Sequence, residues 1–370
     1  MSERHWAPDE RGWTQILGSI CVDPCTSVAQ EKALRLFAAF FFLLLPLSAA
    51  ENDALCAACH ASEAAHHRAT PMAQALERVE SCGILAAHPN LTFQDGPYRY
   101  AVVRRERATI LTVTGNSEKL ELPLLWAFGR GQAGQTYVFE FEGALYESRV
   151  SFYNATGALD LTIGATARKP QSITEAAGRR MDWLGARDCF ACHSHNGVSD
   201  GKLHLESVAP GVGCGSCHGD VEKHAEAVRA GDATGAKLPH LAALSAEETA
   251  DLCGRCHRTW SQIALSGPRG IPNVRFQPYR LLNSKCYDAS DLRIRCTACH
   301  DPHGSLETNL AAYDRKCTAC HAAAQHGKLC PVAKANCAGC HMPKIELPGA
   351  HARFTDHQIR IVRAGDPYPN

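Results

Sequence analysis

The chain has 370 residues, enough for two domains, and its 38 basic residues balance 38 acidic ones. A net charge of zero gives no indication of a nucleic-acid or anionic-membrane partner. Aromatic residues make up only 7% of the chain, whereas there are 19 cysteines and 19 histidines. Such numbers are unusual for a cytosolic enzyme, so the cysteines are the feature to explain.

Residues 1–50 are predicted to be an N-terminal extension and signal peptide. Lys32 and Arg35 precede an apolar run over 36–47, and small residues follow at 48–50. This basic, apolar and small-residue order is typical of a secretory signal with cleavage at its end. A membrane span needs about 20 apolar residues, and the run is shorter. We therefore expect an exported protein, periplasmic or at the cell surface, with no transmembrane anchor in its mature form.

Fourteen of the 19 cysteines belong to one pattern, Cys-x-x-Cys-His, and every Cys-x-x-Cys pair in the chain is followed by His. Chance would give roughly 0.05 copies of this pattern at this composition. We number the seven copies in chain order as motifs 1 to 7: Cys56–His60, Cys189–His193, Cys214–His218, Cys253–His257, Cys296–His300, Cys317–His321 and Cys337–His341.

The spacing has a chemical reason. Positions i, i+3 and i+4 share one face of a helix, so two thiols can bond the vinyl edge of a haem while the adjacent imidazole reaches its iron. The sequence therefore predicts seven covalent c-type haems. The expected thioether residues are Cys56, Cys59, Cys189, Cys192, Cys214, Cys217, Cys253, Cys256, Cys296, Cys299, Cys317, Cys320, Cys337 and Cys340. The expected proximal iron ligands are His60, His193, His218, His257, His300, His321 and His341.

Other uses of paired cysteines fit less well. Zinc ribbons and disulfides do not need a His after every pair, and thioredoxin-like pairs need a βαβ setting that does not recur here. Three further cysteines of the expected mature chain, Cys82, Cys286 and Cys330, allow at most one disulfide. Their alternative role is that of small buried apolar residues.

The segment between motifs 1 and 2 has a residue pattern typical of β-strands. Apolar and polar residues alternate over 98–104, and β-strand residues over 108–114 and 119–125 flank a predicted turn at Gly115-Asn116. A second hairpin is predicted from 136–141 and 144–153, which flank Glu142-Gly143. Pro71 is expected to open a helix through Glu80.

Motifs 2 to 7 follow at about one per 25 residues, too densely for an ordinary hydrophobic core. We expect a mostly irregular and α-helical, haem-packed chain with a small antiparallel β domain inserted between the first two haems. The predicted domains are the extension and signal 1–50, a first haem segment 51–89, a β domain 90–170, a six-haem array 180–345 and a C-terminal tail 346–370.

A second imidazole on each iron is the usual arrangement for electron transfer, because both oxidation states then keep one geometry. His303 follows Pro302, which turns the chain toward a neighbouring haem, and His224 leaves the opposite face of its helix. The tail is rich in histidine without another evident reason. The seven candidates for distal ligands are His224, His303, His351, His357, His66, His88 and His326.

Several of these segments resemble a known group of proteins. Pro210–Gly219 with His224, and Cys296–Gly304, resemble segments of the tetrahaem cytochromes of nitrification and of octahaem hydroxylamine-oxidoreductase-like proteins. The tail from Cys340 to His357 resembles uncharacterised exported multihaem cytochromes. The resemblance implies haem c and makes His224 and His303 distal ligands of haems other than their own. The chain lacks the Cys-x-x-Cys-Lys motif of pentahaem nitrite reductases.

The expected function is electron transfer through seven haems, mostly with two histidine ligands. The alternative is an oxidoreductase that acts on a small nitrogen or sulfur compound at one haem with an open position. We assign no catalytic residue. The expected partners are redox proteins, with the β domain as a docking surface, and not nucleic acid.

Overall fold

The structure is a computed structural model that describes residues 54–321 and 330–369. The expected signal segment lies outside these residues. No helix in the described ranges has the length and apolar character needed to cross a membrane. Helices α1 to α3 are Ala61–Arg68, Gly83–Ala87 and Ile173–Ala177, with short 3-10 turns at Val79–Ser81 and Ala165–Ala167.

One antiparallel sheet dominates the first half of the described chain. Its strands β1 to β9 are Leu76–Arg78, Asn90–Asp95, Tyr98–Arg105, Ala108–Gly115, Glu118–Phe128, Gln135–Phe141, Ala144–Tyr153, Ala158–Leu161 and Gly178–Arg180. Strands β2 to β8 pair in sequence order, while β1 pairs with β5 and β9 pairs with β7. The two end strands β2 and β8 pack against each other, so the sheet curls into a barrel-like shape.

Period-two alternation explains the sheet. Tyr100 and Val102 of β3 and Leu111 and Val113 of β4 are almost fully buried, and they pack into one apolar core. The hairpin between β4 and β5 turns at Asn116 and Ser117, which both have positive φ. The turn is therefore one residue later than predicted, because Gly115 still pairs with Glu118.

The sheet begins before residue 90 and ends after residue 170. The predicted helix from Pro71 to Glu80 is wrong: Leu76–Arg78 is the strand β1, in which Leu76 pairs with Phe128. Leu76 is 2% exposed, so pairing and burial against β5 outweigh the local helix signal.

The second half consists of short helices joined by irregular segments. Helices α4 to α12 are Trp183–His193, Gly215–His218, Val221–Ala230, Ala246–His257, Trp260–Ser266, Gln277–Leu282, Cys296–Cys299, Leu310–His321 and Cys337–His341. Short stretches of 3-10 helix are Leu205–Ser207, Leu241–Ala243, Ile271–Arg275 and Leu292–Ile294. The small two-stranded pairs are β10 with β13 (Ser194–His195, Ala209–Pro210), β11 with β12 (Val198–Ser199, Lys202–Leu203) and β14 with β15 (Lys344–Leu347, Ala352–Thr355).

Side-chain caps begin several of these helices. Ser245 and Glu248 form a capping box at α7, and Thr259 and Gln262 form another at α8. Asp182 accepts a hydrogen bond from the Gly185 amide at the start of α4. Capping defines where these short helices start, which their weak apolar packing would not do alone.

Apolar burial is concentrated in the sheet and in α4. Phe190 of α4 is fully buried against Trp126 and Phe128 of β5, with ring centroids 5.5 and 5.1 Å apart. Beyond Tyr279, by contrast, only Leu347 and Ala350 are buried apolar residues among those described. The burial of two apolar side chains cannot stabilise the fold of about eighty residues, so groups other than apolar side chains must fill the interior of this region.

A close backbone contact joins the segment after motif 1 to the segment before motif 3. The Val212 amide donates to the Met72 carbonyl at 3.0 Å. Gly211 has φ +86°, and a Cβ at this position would collide with the carbonyl oxygen of Ala73. Motifs 1 and 3 are therefore neighbours in space although about 150 residues separate them.

Candidate functional site

Motifs 2 to 7 all contain helical turns: motifs 2, 4 and 6 end longer helices, and the short helices α5, α10 and α12 lie within motifs 3, 5 and 7. In five of them the motif histidine is the last helical residue, and in motif 5 it follows α10 directly. The local helical geometry puts both cysteines and the histidine on one face, as haem attachment requires. Motif 1 contains a helical hydrogen bond as well: the His60 amide donates to the carbonyl oxygen of Cys56.

The motif histidines are oriented through Nδ1. His193 and His341 donate from Nδ1 to the carbonyl oxygens of Ala75 and Arg360, both at 2.9 Å. Nδ1 of His257 lies 3.2 Å from Oε1 of Gln277. A proton held at Nδ1 leaves Nε2 as the free ligand atom, which is the usual state of a metal-bound histidine.

Burial keeps four motif imidazoles neutral. Desolvation lowers the pKa of His193, His218, His257 and His300 below the usual histidine value. Neutral imidazole is the form that binds a metal. These side chains are thus ready to bind iron at neutral pH without losing a proton.

Four imidazoles form a first cluster around motif 3. The rings of His218 and His303 have centroids 6.0 Å apart and planes that differ by 10°. Besides burial, His303, His60 and His67 each lower the pKa of His218, so each of these three imidazoles lies near His218. His303 therefore contacts the histidine of motif 3 and not that of motif 5, which precedes it in the chain.

A second cluster surrounds motif 5. The ring centroids of His300 and His357 are 6.2 Å apart. His257 lies near both, since it lowers the pKa of each beyond the effect of burial, and it also lies near His193. Burial lowers the pKa of His357 to about 4, and its Nδ1 donates to the Thr355 carbonyl at 3.0 Å.

The two ring separations suit imidazoles on opposite sides of one iron. A metal–nitrogen bond of about 2 Å, followed by about 1 Å from nitrogen to ring centre, puts two such ring centres about 6 Å apart. The plane angle is not restricted by this arrangement, because each ring can rotate about its own bond to the metal. The pairs His218 with His303 and His300 with His357 therefore fit the spacing of two ligands on one iron.

Three predicted distal candidates have other surroundings. His224 in α6 is half-buried and donates from Nδ1 to the Ala236 carbonyl, which leaves Nε2 available. His66 is exposed on α1. His88 packs against Phe152 with its ring tilted by 39° and the ring centroids 4.7 Å apart, and it lines a cavity of about 190 Å³. The structure places none of the three against a motif histidine by a ring contact.

His351 lies on the sheet and not among the motifs. Its Nε2 is 2.7 Å from Oδ2 of Asp160, and its ring meets Tyr153 edge-on at 4.8 Å. In this arrangement Nε2 is engaged by the carboxylate and is not a free ligand atom. His326 lies outside the described residues.

His67 was not among the seven candidates, although it is better placed than its neighbour. It is 8% exposed, on the same face of α1 as buried Ala64, and it lies near His218. Two adjacent histidines do not by themselves indicate which imidazole is buried. The helical spacing of Ala64 and His67, three residues apart, indicates that His67 faces the interior.

Thiols of different motifs meet directly. Cys192 of motif 2 contacts Cys256 of motif 4, and Cys253 of motif 4 contacts Cys296 of motif 5. The contact lowers the pKa of Cys192 to about 7. Cys317 of motif 6 likewise contacts a motif 7 thiol. Motif 4 therefore lies between motifs 2 and 5, and motifs 6 and 7 are adjacent.

The donor set fits haem better than zinc. Each motif supplies two thiols and one imidazole along a helix face, and at motifs 3 and 5 a second imidazole comes from another segment. In the part of the chain that the structure describes, no three His, Cys, Asp or Glu side chains are arranged around one metal position. A zinc ribbon would need four ligands around one ion.

No family model and no curated protein sequence matches the chain. A solved structure, the crystal structure of outer cell wall cytochrome OcwA, is similar to it, with 13% sequence identity and a TM-score of 0.49. The similarity covers 84% of this chain and 79% of that chain. A likeness of this degree concerns the course of the backbone, and no functional conclusion follows from it.

Proposed function

We propose that this protein transfers electrons through seven covalently attached c-type haems, most of them held between two histidines. The observation that carries the proposal is the pairing of motif histidines with imidazoles from other segments, His218 with His303 and His300 with His357. Such pairs would leave no open position at the iron, which suits electron transfer and not substrate binding.

The bound haem would supply a one-electron carrier that alternates between ferric and ferrous iron. The residues of the chain would attach and orient the haem. The motif cysteines fix each ring covalently, and the Nδ1 contacts of His193, His257 and His341 hold each imidazole with Nε2 free.

The contacts between thiols favour a connected array. Motif 4 contacts motifs 2 and 5, and motif 6 contacts motif 7. The backbone contact at Gly211 brings motif 1 beside motif 3. Cys217 of motif 3 also lies near Cys253 of motif 4, and Cys317 of motif 6 lies near Cys299 of motif 5, so the three groups are joined into one series.

The proposed location is the periplasm or the cell surface, because the expected signal segment and covalent haem attachment both belong to exported proteins. The proposed partners are redox proteins. The barrel-like sheet remains the proposed docking surface, since Phe128 and Ala75 of the sheet region contact His193 of motif 2 directly.

The proposal is tested on mature protein produced with haem-maturation factors. We expect mass spectrometry to find about seven haem masses, one for each motif. His303→Ala should leave that haem content unchanged and turn one haem high-spin in low-temperature magnetic resonance, because His218 loses its partner. His240→Ala is the matched control: this imidazole is exposed, so all haems should stay as in the wild type.

Three haems or fewer, or bound zinc, would refute the central proposal. A wild-type protein with one high-spin haem would favour the oxidoreductase alternative at that iron. If His303→Ala stayed low-spin at full haem content, the assignment of His303 would be wrong while the haem proposal remained.

A further inference from the structure

Arg280 and Asp356 form an ion pair in which both side chains are 0% exposed. Nε and Nη2 of Arg280 donate to the two carboxylate oxygens of Asp356 at 2.8 and 2.9 Å. Taking two charges out of water is costly, and apolar residues of similar volume often stabilise a fold as well. A pair of this kind is therefore better explained by what it positions than by the stability it adds.

The ion pair and Ser284 together hold the backbone on both sides of His357. Asp356 precedes this histidine directly and also accepts from Nη1 of Arg360 at 2.6 Å. The Ser284 hydroxyl donates to the His357 carbonyl at 3.2 Å and accepts from the Ile359 amide at 2.8 Å. The tail segment that carries His357 is thus attached to α9, which contains Arg280, and to the residue shortly after it.

The same helix supports a motif histidine. Gln277 of α9 contacts Nδ1 of His257, and the carbonyl of Arg360 accepts from Nδ1 of His341. Arg280 also reaches the end of the described chain, where Nη1 donates to the Pro369 carbonyl at 2.8 Å and the guanidinium lies 4.6 Å from the ring centroid of Tyr368. Arg280 therefore connects α9 to the tail at Asp356, Tyr368 and Pro369.

We propose that Arg280 is a positioning residue that acts through Asp356 to hold His357 against His300 as the second iron ligand at motif 5. The inference rests on the proposed function, because it needs a haem at this motif. Arg280 does not itself contact either imidazole in the contacts described above. Its planar fork fixes the plane of the carboxylate, which a lysine could not do with a single point charge.

The test uses the full-length, haem-loaded protein. We expect Arg280→Ala to keep the wild-type haem content and to turn about one-seventh of the haem high-spin, because one iron loses its second imidazole. When reduced, the same fraction should bind carbon monoxide. His357→Ala should give an equal fraction. The double variant should give no more than either single variant, since both changes act on one iron.

A buried arginine elsewhere provides the matched control. Arg149 is 9% exposed and is paired with Asp95 in the sheet. Arg149→Ala should lower stability without producing high-spin haem, which separates positioning from a general loss of stability. Arg280→Lys should restore only part of the low-spin signal at motif 5, because it keeps the charge and loses the fork.

Two results would overturn the inference. Arg280→Ala could stay fully low-spin at full haem content, or its high-spin fraction could add to that of His357→Ala, which would place the effect at another iron. If Arg280→Ala does not accumulate, Asp356→Asn and the apolar pair Arg280→Met with Asp356→Leu take its place. A folded apolar variant with all haems low-spin would likewise count against a positioning role.

The outcomes also distinguish this inference from the proposed function. A wild-type protein without haem would refute both. Wild-type haem content combined with a low-spin His357→Ala variant would refute only the ligand assignment and the positioning role that depends on it.

Discussion

Single thiols outside the motifs differ in their surroundings. Burial raises the pKa of the Cys82 thiol to about 11, and its Sγ donates to Oε1 of Gln135 at 3.3 Å. Hydrogen bonds from the backbone amides of Ala333 and Val332 lower the pKa of the exposed Cys330 thiol. Cys286 is exposed as well, although partial burial raises its pKa.

We therefore predict that, in haem-loaded protein near pH 8, an alkylating reagent labels Cys330 fastest and Cys286 more slowly. Cys82 should react only after unfolding, because the thiolate is the reactive form and a pKa near 11 keeps this thiol protonated. Raising the pH should accelerate Cys286 more than Cys330. Peptide mass spectrometry measures the order, with denatured protein as the control. Rapid labelling of Cys82 in the folded state would contradict its burial.

The sequence predicted the motif residues but not their partners, for a physical reason. Two cysteines and a histidine share one helical turn, so their relation is local. The partner of His218 comes from beyond motif 5, and that of His300 from the tail, so both depend on the fold. The candidates included His303 and His357 but also His351, whose hydrogen bond with Asp160 no local pattern indicates.

At the scale of elements, one ion pair links the end strand β2 to β7, the strand next to the other end of the curled sheet. Arg149 of β7 donates to Oδ2 of Asp95 in β2 from Nε and Nη2, at 3.2 and 2.9 Å. Its Nη1 donates to the carbonyls of Ala165 and Arg168. A single side chain thus joins β7, β2 and the segment after β8.

We predict that Arg149→Ala lowers the free energy of unfolding by about 2 kcal/mol, since it leaves a partly buried carboxylate and two carbonyls without a donor. Arg179→Ala is the matched control: its pair with Glu147 is largely exposed on the arginine side, so the loss should be below about 1 kcal/mol. Denaturant unfolding followed by tyrosine and tryptophan fluorescence measures both. Equal midpoints for the two variants would show that Arg149 does not close the sheet.

The alternation of apolar and polar residues was enough to predict the long strands, because each of these strands packs one face against the apolar core. The three-residue strands β1 and β9 could not be predicted in this way. They are too short to show a period, and they exist through their pairing with β5 and β7. The sheet is consequently broader than residues 90–170.

At the scale of the whole molecule, motif 4 has the most connections among the contacts described. Its thiols meet those of motifs 2 and 5, and its histidine lies near His193, His300 and His357. Motif 7, in contrast, meets motif 6 at one thiol contact. Neither relation follows from the order of the motifs in the chain.

We predict that replacing both cysteines of motif 4 with serine divides reduction of the protein into a fast and a slow phase, because the remaining motifs lose their common neighbour. The same change in motif 7 should remove one haem and leave a single phase. Stopped-flow absorbance with a small reductant, normalised to haem content, measures this difference. A single phase in both variants would argue against a central place for motif 4.

The attachment of the tail to α9 has a consequence for damaged chains. A protein cut by a protease or a premature stop just after motif 7 would keep all fourteen motif cysteines and could show full colour. It would lack His357 and Asp356, so Arg280 would be left without its carboxylate and His300 without its partner. Under the proposed function, such a chain would carry an iron open to peroxide or other small oxidants. The haem absorbance would then not distinguish the shortened chain from the complete one, whereas reaction with peroxide would.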